Sequence, residues 1–364
     1  MPLHIIIFAF LSVIFLLVCH EFGHFIIAKR FGVKVEEFGI GYPPRLFGKR
    51  FGETLYSLNL LPFGAFVRIP GEDGSEKSLE DPRSFMRQSV WKRMLILLGG
   101  VVSFWIMSAV LLSFAFAMGT PQAISDDEIV SGPAKVQVLA VAPNSPAQEA
   151  GLRSGDAILQ MSVFDIQFPI TKVKDIQEFT ETYKGQQVAL TIERGNDVFN
   201  VSLTPRAEHP SDEGSIGITL ARTAQKSYPW WQAPLKGIEA TINITGAVVV
   251  GWAKVIANLV SGQGLPKGVQ FVGPVGIGSM VAQAAQAGFS YFLQFMAMIS
   301  IYLAVFNILP IPSLDGGKLV FLTIEKIKGK PVSPKIEQGI TVAVFGTLII
   351  LMIIVTAKDI SRLL

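Results

Sequence analysis

His20, Glu21 and His24 stand in the order HExxH. On a helix, residues four apart share a face, so two imidazoles can grip one zinc ion while the glutamate between them addresses the attacking water. The setting sharpens this reading. Residues 3–28 otherwise form a nearly unbroken apolar run of membrane-spanning length, and ionisable groups in hydrocarbon are costly enough to be read as functional. A third ligand is needed, and Asp315 can supply it. It follows Asn307, Pro310 and Pro312 in apolar sequence, where two prolines break a helix and let backbone and carboxylate turn inward. Two histidines and one aspartate leave a tetrahedral zinc with a fourth position open, the layout of a catalytic site. Taken alone, Asp315 before Gly316 and Gly317 could equally cap a helix start; beside HExxH the ligand reading prevails. Cys19 is the one cysteine, so it has no internal disulfide partner. It lies about 100° around the helix from His20 and reads as a small hydrophobe rather than a thiol ligand.

The elements that must hold these residues are membrane helices. Half of the residues are hydrophobic and 16% are charged. Apolar runs at 3–28, 94–119, 291–309 and 339–357 predict four main spans, with ordinary soluble-type sequence between them. The first run is too long for a cleavable signal peptide, and Met1 to His4 bring no basic n-region. Residues 29–93 carry an excess of Lys and Arg, with Lys29, Arg30, Lys92 and Arg93 abutting the spans, and should face the cytoplasm. The loop after the second span is acidic (Asp126, Asp127, Glu128) and should lie outside. The short loop with Lys326, Lys328, Lys330 and Lys335 returns inside, which puts both termini outside. The net charge of +3 thus reflects topology, and no basic cluster with interleaved aromatics points to nucleic acid.

HExxH on a first span, a Leu-Asp-Gly aspartate on a later one and an insert between them resemble the site-2 protease family of intramembrane zinc metalloproteases (peptidase M50), in its bacterial regulator-of-sigma-E protease branch. Gly39-Ile40-Gly41, Gly273 to Ile277, Asn307 and the 321–333 tail match as well. Ser103 departs from the pattern, since many relatives carry asparagine there, and the insert has room for one PDZ module where tandem modules are frequent. The resemblance implies zinc held by His20, His24 and Asp315, Glu21 as the catalytic base, and Asn307 on the substrate backbone or the developing oxyanion. It also implies substrates that are single-pass membrane proteins already trimmed by another protease, such as anti-sigma factors or signal-peptide remnants, and a place in the bacterial inner membrane.

The fold expected is a polytopic α-helical membrane protein of about four transmembrane helices, with a membrane-associated β-hairpin and one extracytoplasmic α+β PDZ-like domain. Its parts are the first helix with HEFGH (1–28), a cytoplasmic loop with the hairpin (29–93), the second helix (94–119), the PDZ-like domain (132–220), an interfacial region (221–290), the third segment with NxxPxPxLDG (291–325) and the fourth helix (339–357). Residues 55–69 read as the hairpin, with Pro62-Phe63-Gly64-Ala65 at its turn and enough apolar residues to dip into the bilayer; its strand edge could pair with an unwound substrate. In the insert, strands near 136–141, 157–161, 187–193 and 198–203 and helices near 146–150 and 174–184 follow the order of a circularly permuted bacterial PDZ domain, which could bind peptides or act as a steric gate. Residues 234–261 alternate Lys236, Glu239 and Asn243 with apolar residues and are expected on the outer membrane surface rather than across it. Two other classes fit less well: a catalytically silent PDZ scaffold has no use for a complete ligand set, and a metal transporter needs a relay of sites along a path.

Overall fold

The computed structural model describes residues 3–72, 81–130, 132–164, 166–195, 197–210, 213–264 and 271–363. Met1 and Pro2, on which part of the reading of the first span rests, lie outside the described residues, as do 265–270 of the interfacial region. In chain order the elements are α1 (Leu3–Arg30), β1 (Glu37–Phe51), β2 (Thr54–Arg68), α2 (Val90–Met118), β3 (Thr120–Ile124), β4 (Ala134–Val141), α3 (Pro146–Glu149), β5 (Ala157–Val163), β6 (Ile166–Pro169), α4 (Val173–Thr182), β7 (Val188–Arg194), β8 (Asp197–Leu203), β9 (Ile218–Lys226), α5 (Ala233–Val260), α6 (Pro274–Ala287), α7 (Phe289–Ile308), α8 (Asp315–Lys328) and α9 (Pro334–Leu363). They form two compact units, a helical one from 1–115 with 230–265 and 270–364, and a β-rich one from 116–229.

In the helical unit, α1 and α2 cross backbone to backbone. A methyl group on Gly99 would stand 2.6 Å from Ile27 Cγ1 and 2.9 Å from Gly23 O, and one on Gly23 would stand 2.8 Å from the Gly99 carbonyl carbon. Only small residues allow helices so close. Leu16, Val101, Phe104, Val281, Met296 and Ala304 form one buried cluster that joins α1, α2, α6 and α7, and the Ser300 hydroxyl adds a bond across it to Phe104 O at 2.7 Å. A second cluster of Ala28, Val35, Ile69, Phe85, Leu97 and Leu322 ties α1, α2 and α8 to the end of β2. Asp359 near the end of α9 caps α6 by accepting the N–H groups of Gly273 and Gly276, both at 2.8 Å. Apolar side chains are exposed all along the outer faces, and the apolar window of α9 has no buried residue. That is the surface of a helix solvated by lipid.

Among the described residues five helices are long and apolar enough to cross a membrane: α1 from Ile7, α2, α5, α7 and the 335–361 part of α9. The third expected segment is two helices, α7 and α8, interrupted at 309–314 where the prolines lie. The fifth candidate, α5, covers the stretch 234–261 that was expected on the outer membrane surface, and it packs against two other helices. It packs on α2 at Gly237, where a methyl would stand 2.6 Å from Ala109 O, and through a hydrogen bond between Thr241 and Ser108 hydroxyls at 3.3 Å. Val248 packs with Ile301 and Val305 of α7. Its charged pair, Lys236 with Glu239, lies in the first turns, and Lys254 is the one further charged residue along a mostly apolar helix.

The hairpin also differs from expectation. The chain does turn at 62–64, but the arms on either side do not pair with each other. Residues 37–40 of β1 lie between them, opposite Leu55 to Leu58 on one side and Ala65 to Arg68 on the other. The tight hairpin turn is at Gly52, whose φ of 60° is easy for glycine. Leu46, Phe47, Leu60 and Phe63 are exposed.

In the second unit all strands are antiparallel, in the order β3-β9-β4-β5-β7-β8 with β6 on β5. The expected strands and helices are present as β4, α3, β5, α4, β7 and β8. The frame of β3 and β9, and β6, were not foreseen. Val136, Ile158, Met161, Ile176, Leu190 and Ile192 build the core. Fully buried Asp156 accepts from Arg194 Nε at 2.6 Å and Nη2 at 2.7 Å, and from the Arg153 N–H at 2.8 Å.

Candidate metal centre

His20 and His24 project from one face of α1, as a four-residue spacing requires, and both are buried. Their Nε2 atoms are 3.2 Å apart. The Asp315 carboxylate meets them from the start of α8, with Oδ2 3.3 Å from His20 Nε2 and 3.4 Å from His24 Nε2. Donors about 2.0–2.1 Å from a tetrahedral zinc stand about 3.3–3.4 Å from one another, so this triangle already has the right size. Asp315 Oδ2 is buried and without a hydrogen bond, so it is left for a cation. Among the described residues no other group of three or more such side chains gathers in this way, and Cys19 is outside it.

The neighbours fix how the donors face. His24 Nδ1 lies 2.9 Å from Ile96 O, so Nδ1 carries the proton and donates it to that carbonyl, which leaves the Nε2 lone pair facing the site. The other side of the ring rests on Gly100: a methyl there would stand 2.7 Å from His24 Cδ2, with Nε2 and Cε1 nearer still. His20 stacks on Phe104, with ring centroids 4.6 Å apart and planes at 12°.

On the third donor, the alternative of a helix cap is not what the structure shows. Leu314 occupies the N-cap position without a side-chain cap bond, and Asp315 is the first helical residue. Gly316 and Gly317 make this possible. A methyl on Gly317 would stand 2.7 Å from the Ile311 carbonyl carbon, and one on Gly316 would collide with Leu309 O, so α8 starts tightly nested on its own preceding loop. Ser313 holds a left-handed φ of 102° in that loop, a conformation that costs a non-glycine residue about 1–3 kcal/mol.

Glu21 is half-buried one position from His20, and its carboxylate makes no hydrogen bond or ion pair among the described residues. Asn307 sits in the last turn of α7 with one amide N–H bound to Leu303 O at 2.9 Å; its second N–H and its carbonyl remain for another partner. Ser103, where an asparagine was looked for, turns its hydroxyl back on Gly100 O at 2.6 Å.

Helices of membrane-spanning length that bring HExxH against a Leu-Asp-Gly aspartate define a class of membrane metallopeptidase. The model of peptidase family M50 matches residues 8–351, and this chain belongs to that family, the site-2 proteases, as an intramembrane zinc metalloprotease. It is similar to a putative zinc metalloprotease of Clostridium perfringens, 37% identical over 98% of both chains. Another of Clostridium acetobutylicum is 32% identical over 98% of this chain and 97% of that one. The regulator of sigma-W protease RasP of Bacillus subtilis is 28% identical over 94% of this chain and 95% of its own. A solved PDZ domain of a Listeria monocytogenes protein covers 26% of this chain and 92% of its own at 20% identity, with a TM-score of 0.21, too low to establish a shared fold.

Proposed function

We propose that His20, His24 and Asp315 hold the zinc and that Glu21 is the base of a peptide-bond hydrolysis carried out inside the membrane. The observation that carries this reading is the triangle of donor atoms, 3.2–3.4 Å on a side, one residue from a free carboxylate on an apolar helix. A zinc ion, when bound, supplies Lewis acidity to the water and to the substrate carbonyl. Glu21 takes a proton from the attacking water onto its carboxylate and later delivers it to the leaving amine nitrogen. Asn307 offers its remaining N–H to the substrate carbonyl oxygen as negative charge develops there. A helix hides its amides, so the substrate must be opened before attack. Residues 65–68 pair with β1 on one side only and are the edge to which an extended substrate can add as a strand. Substrates of this chemistry are pre-trimmed single-pass membrane proteins, anti-sigma factors or signal-peptide remnants.

The family and its bacterial relatives support a bacterial inner-membrane protein, and the Lys/Arg bias supports crossings at α1, α2, the α7–α8 segment and α9. The β-rich unit is then a PDZ-like domain outside the cytoplasm, and both termini are outside. A full crossing by α5 would reverse the side of the lysine-rich 326–335 loop, so α5 is placed against α2 and α7 without completing one. A silent scaffold would not need Glu21 free, and a transporter would need more than one site. The test is Glu21→Gln, which keeps shape while removing the base. It should retain zinc and fold and lose cleavage of a model transmembrane peptide; wild-type turnover in that variant overturns the assignment.

A further inference from the structure

The end of β2 and the start of α8 are joined by an ion pair to which the reaction so far gives no part. Lys318 lies three residues beyond Asp315 and therefore on the same flank of α8. Its Nζ donates to Glu72 Oε1 at 2.5 Å. Glu72 follows the edge strand in a turn closed by its own N–H to Ile69 O at 3.2 Å, and the next carbonyl, Pro70 O, accepts from the Phe85 N–H at 2.8 Å. Ile69 is buried with Leu97 and Leu322. The strand end is thus fastened to α8 twice, by an apolar contact at Ile69 and by a charged one at Glu72. The charged fastening lies one helical turn from Asp315, because Lys318 follows it by three residues on α8. Both residues also line a cavity of about 800 Å³, shared with an ion pair between buried Arg93 and Glu325 that joins α2 to α8.

We propose that Glu72 and Lys318 are positioning residues for the proteolysis. Their ion pair sets the distance between the edge at residues 65–68 and the helix that carries Asp315, so that a substrate strand added to the edge presents its scissile peptide at a fixed depth to Glu21. This inference rests on the reading of Glu21, His20, His24 and Asp315 given above.

The experiment is a double-mutant cycle in the full-length zinc-loaded enzyme, with Glu72→Gln, Lys318→Met and the two combined, on one model transmembrane peptide. A misplaced scissile bond lowers kcat more than KM, so each single variant should lose about tenfold in kcat, with KM within about twofold. Zinc content should stay at the wild-type level. The double variant should be no slower than the singles, because the second change removes nothing further. Lys318→Arg, which keeps the charge and reach, should stay within about twofold of wild type. Wild-type kcat in both singles, losses that multiply in the double, or a loss carried by zinc content overturns the proposal. Should Lys318→Met not fold, Glu72→Gln and Lys318→Arg decide by the same criteria. Glu21→Gln run alongside separates the two readings: its retaining turnover sinks the site itself, whereas its inactivity with independent behaviour of Glu72 and Lys318 sinks only the positioning role.

Discussion

Gly100→Ala tests the metal centre without touching a ligand. The added methyl would stand 2.7 Å from His24 Cδ2 and nearer to Nε2 and Cε1, where ordinary contact begins at 3.4 Å. The ring must therefore retreat by about 1 Å, a displacement that can cost about a hundredfold in a positioned reaction. It has no free direction. Its Nδ1 is bound to Ile96 O at 2.9 Å, and its other edge faces His20. Disturbing the partners that orient a ligating histidine costs about 10–100-fold in metal affinity or activity, and overpacking a full interior adds about 1–3 kcal/mol of destabilisation. Zinc content of the purified enzyme, its affinity in competition with a chelator, and cleavage of a model transmembrane peptide are the readouts. The matched control is Gly346→Ala in α9, where nothing lies within 4 Å of the new methyl and a change is expected in neither property. Full zinc affinity together with full turnover in Gly100→Ala would show that His24 does not need its observed position, and the ligand assignment would fall with it.

His20→Ala, His24→Ala and Asp315→Ala should each lower zinc occupancy, since two protein donors make an incomplete shell; elemental analysis decides, and full zinc in the Asp315 variant would send the search for the third donor elsewhere. Arg194→Ala removes two of the three bonds to buried Asp156. Because Arg194 is itself partly exposed, the β-rich unit should lose about 2 kcal/mol rather than the larger loss seen for fully enclosed pairs, measurable as faster proteolysis of residues 116–229 with zinc content unchanged. A protease-accessible tag near Asp126 should be digested from outside intact cells while one near Lys328 is protected; the opposite pattern reverses the topology.

What the sequence disclosed about the centre was local or compositional. HExxH needs only the helical repeat to bring its histidines together, and the prolines before Asp315 announce a broken span. The partners of those residues were not legible, because the contacts are distant in the chain. Nothing local marks Ile96 O as the acceptor for His24, Gly100 as the space for its ring, or Glu72 as the counter-charge of Lys318. The sheet at 37–68 shows the same limit. Two β-prone arms around Pro62 and Gly64 look like a hairpin, yet both prefer the intervening strand of residues 37–40, and period-two alternation carries no label for its partner. For α5, Lys236 and Glu239 sit in its first turns and Lys254 further along, and none of them announces the helices it packs against.

The proposed zinc ligands are far apart in the chain, His20 and His24 on α1 and Asp315 on α8, about 300 residues later. At the usual pace of about 5–20 residues per second, the ribosome needs about 15–60 s to travel from His24 to Asp315. During that time the nascent chain exposes an HExxH helix in the bilayer with two of its three donors, and the edge strand waits without the helix that carries Lys318. On the proposed ligand set, proteolysis cannot begin before α8 has been made and has joined α1.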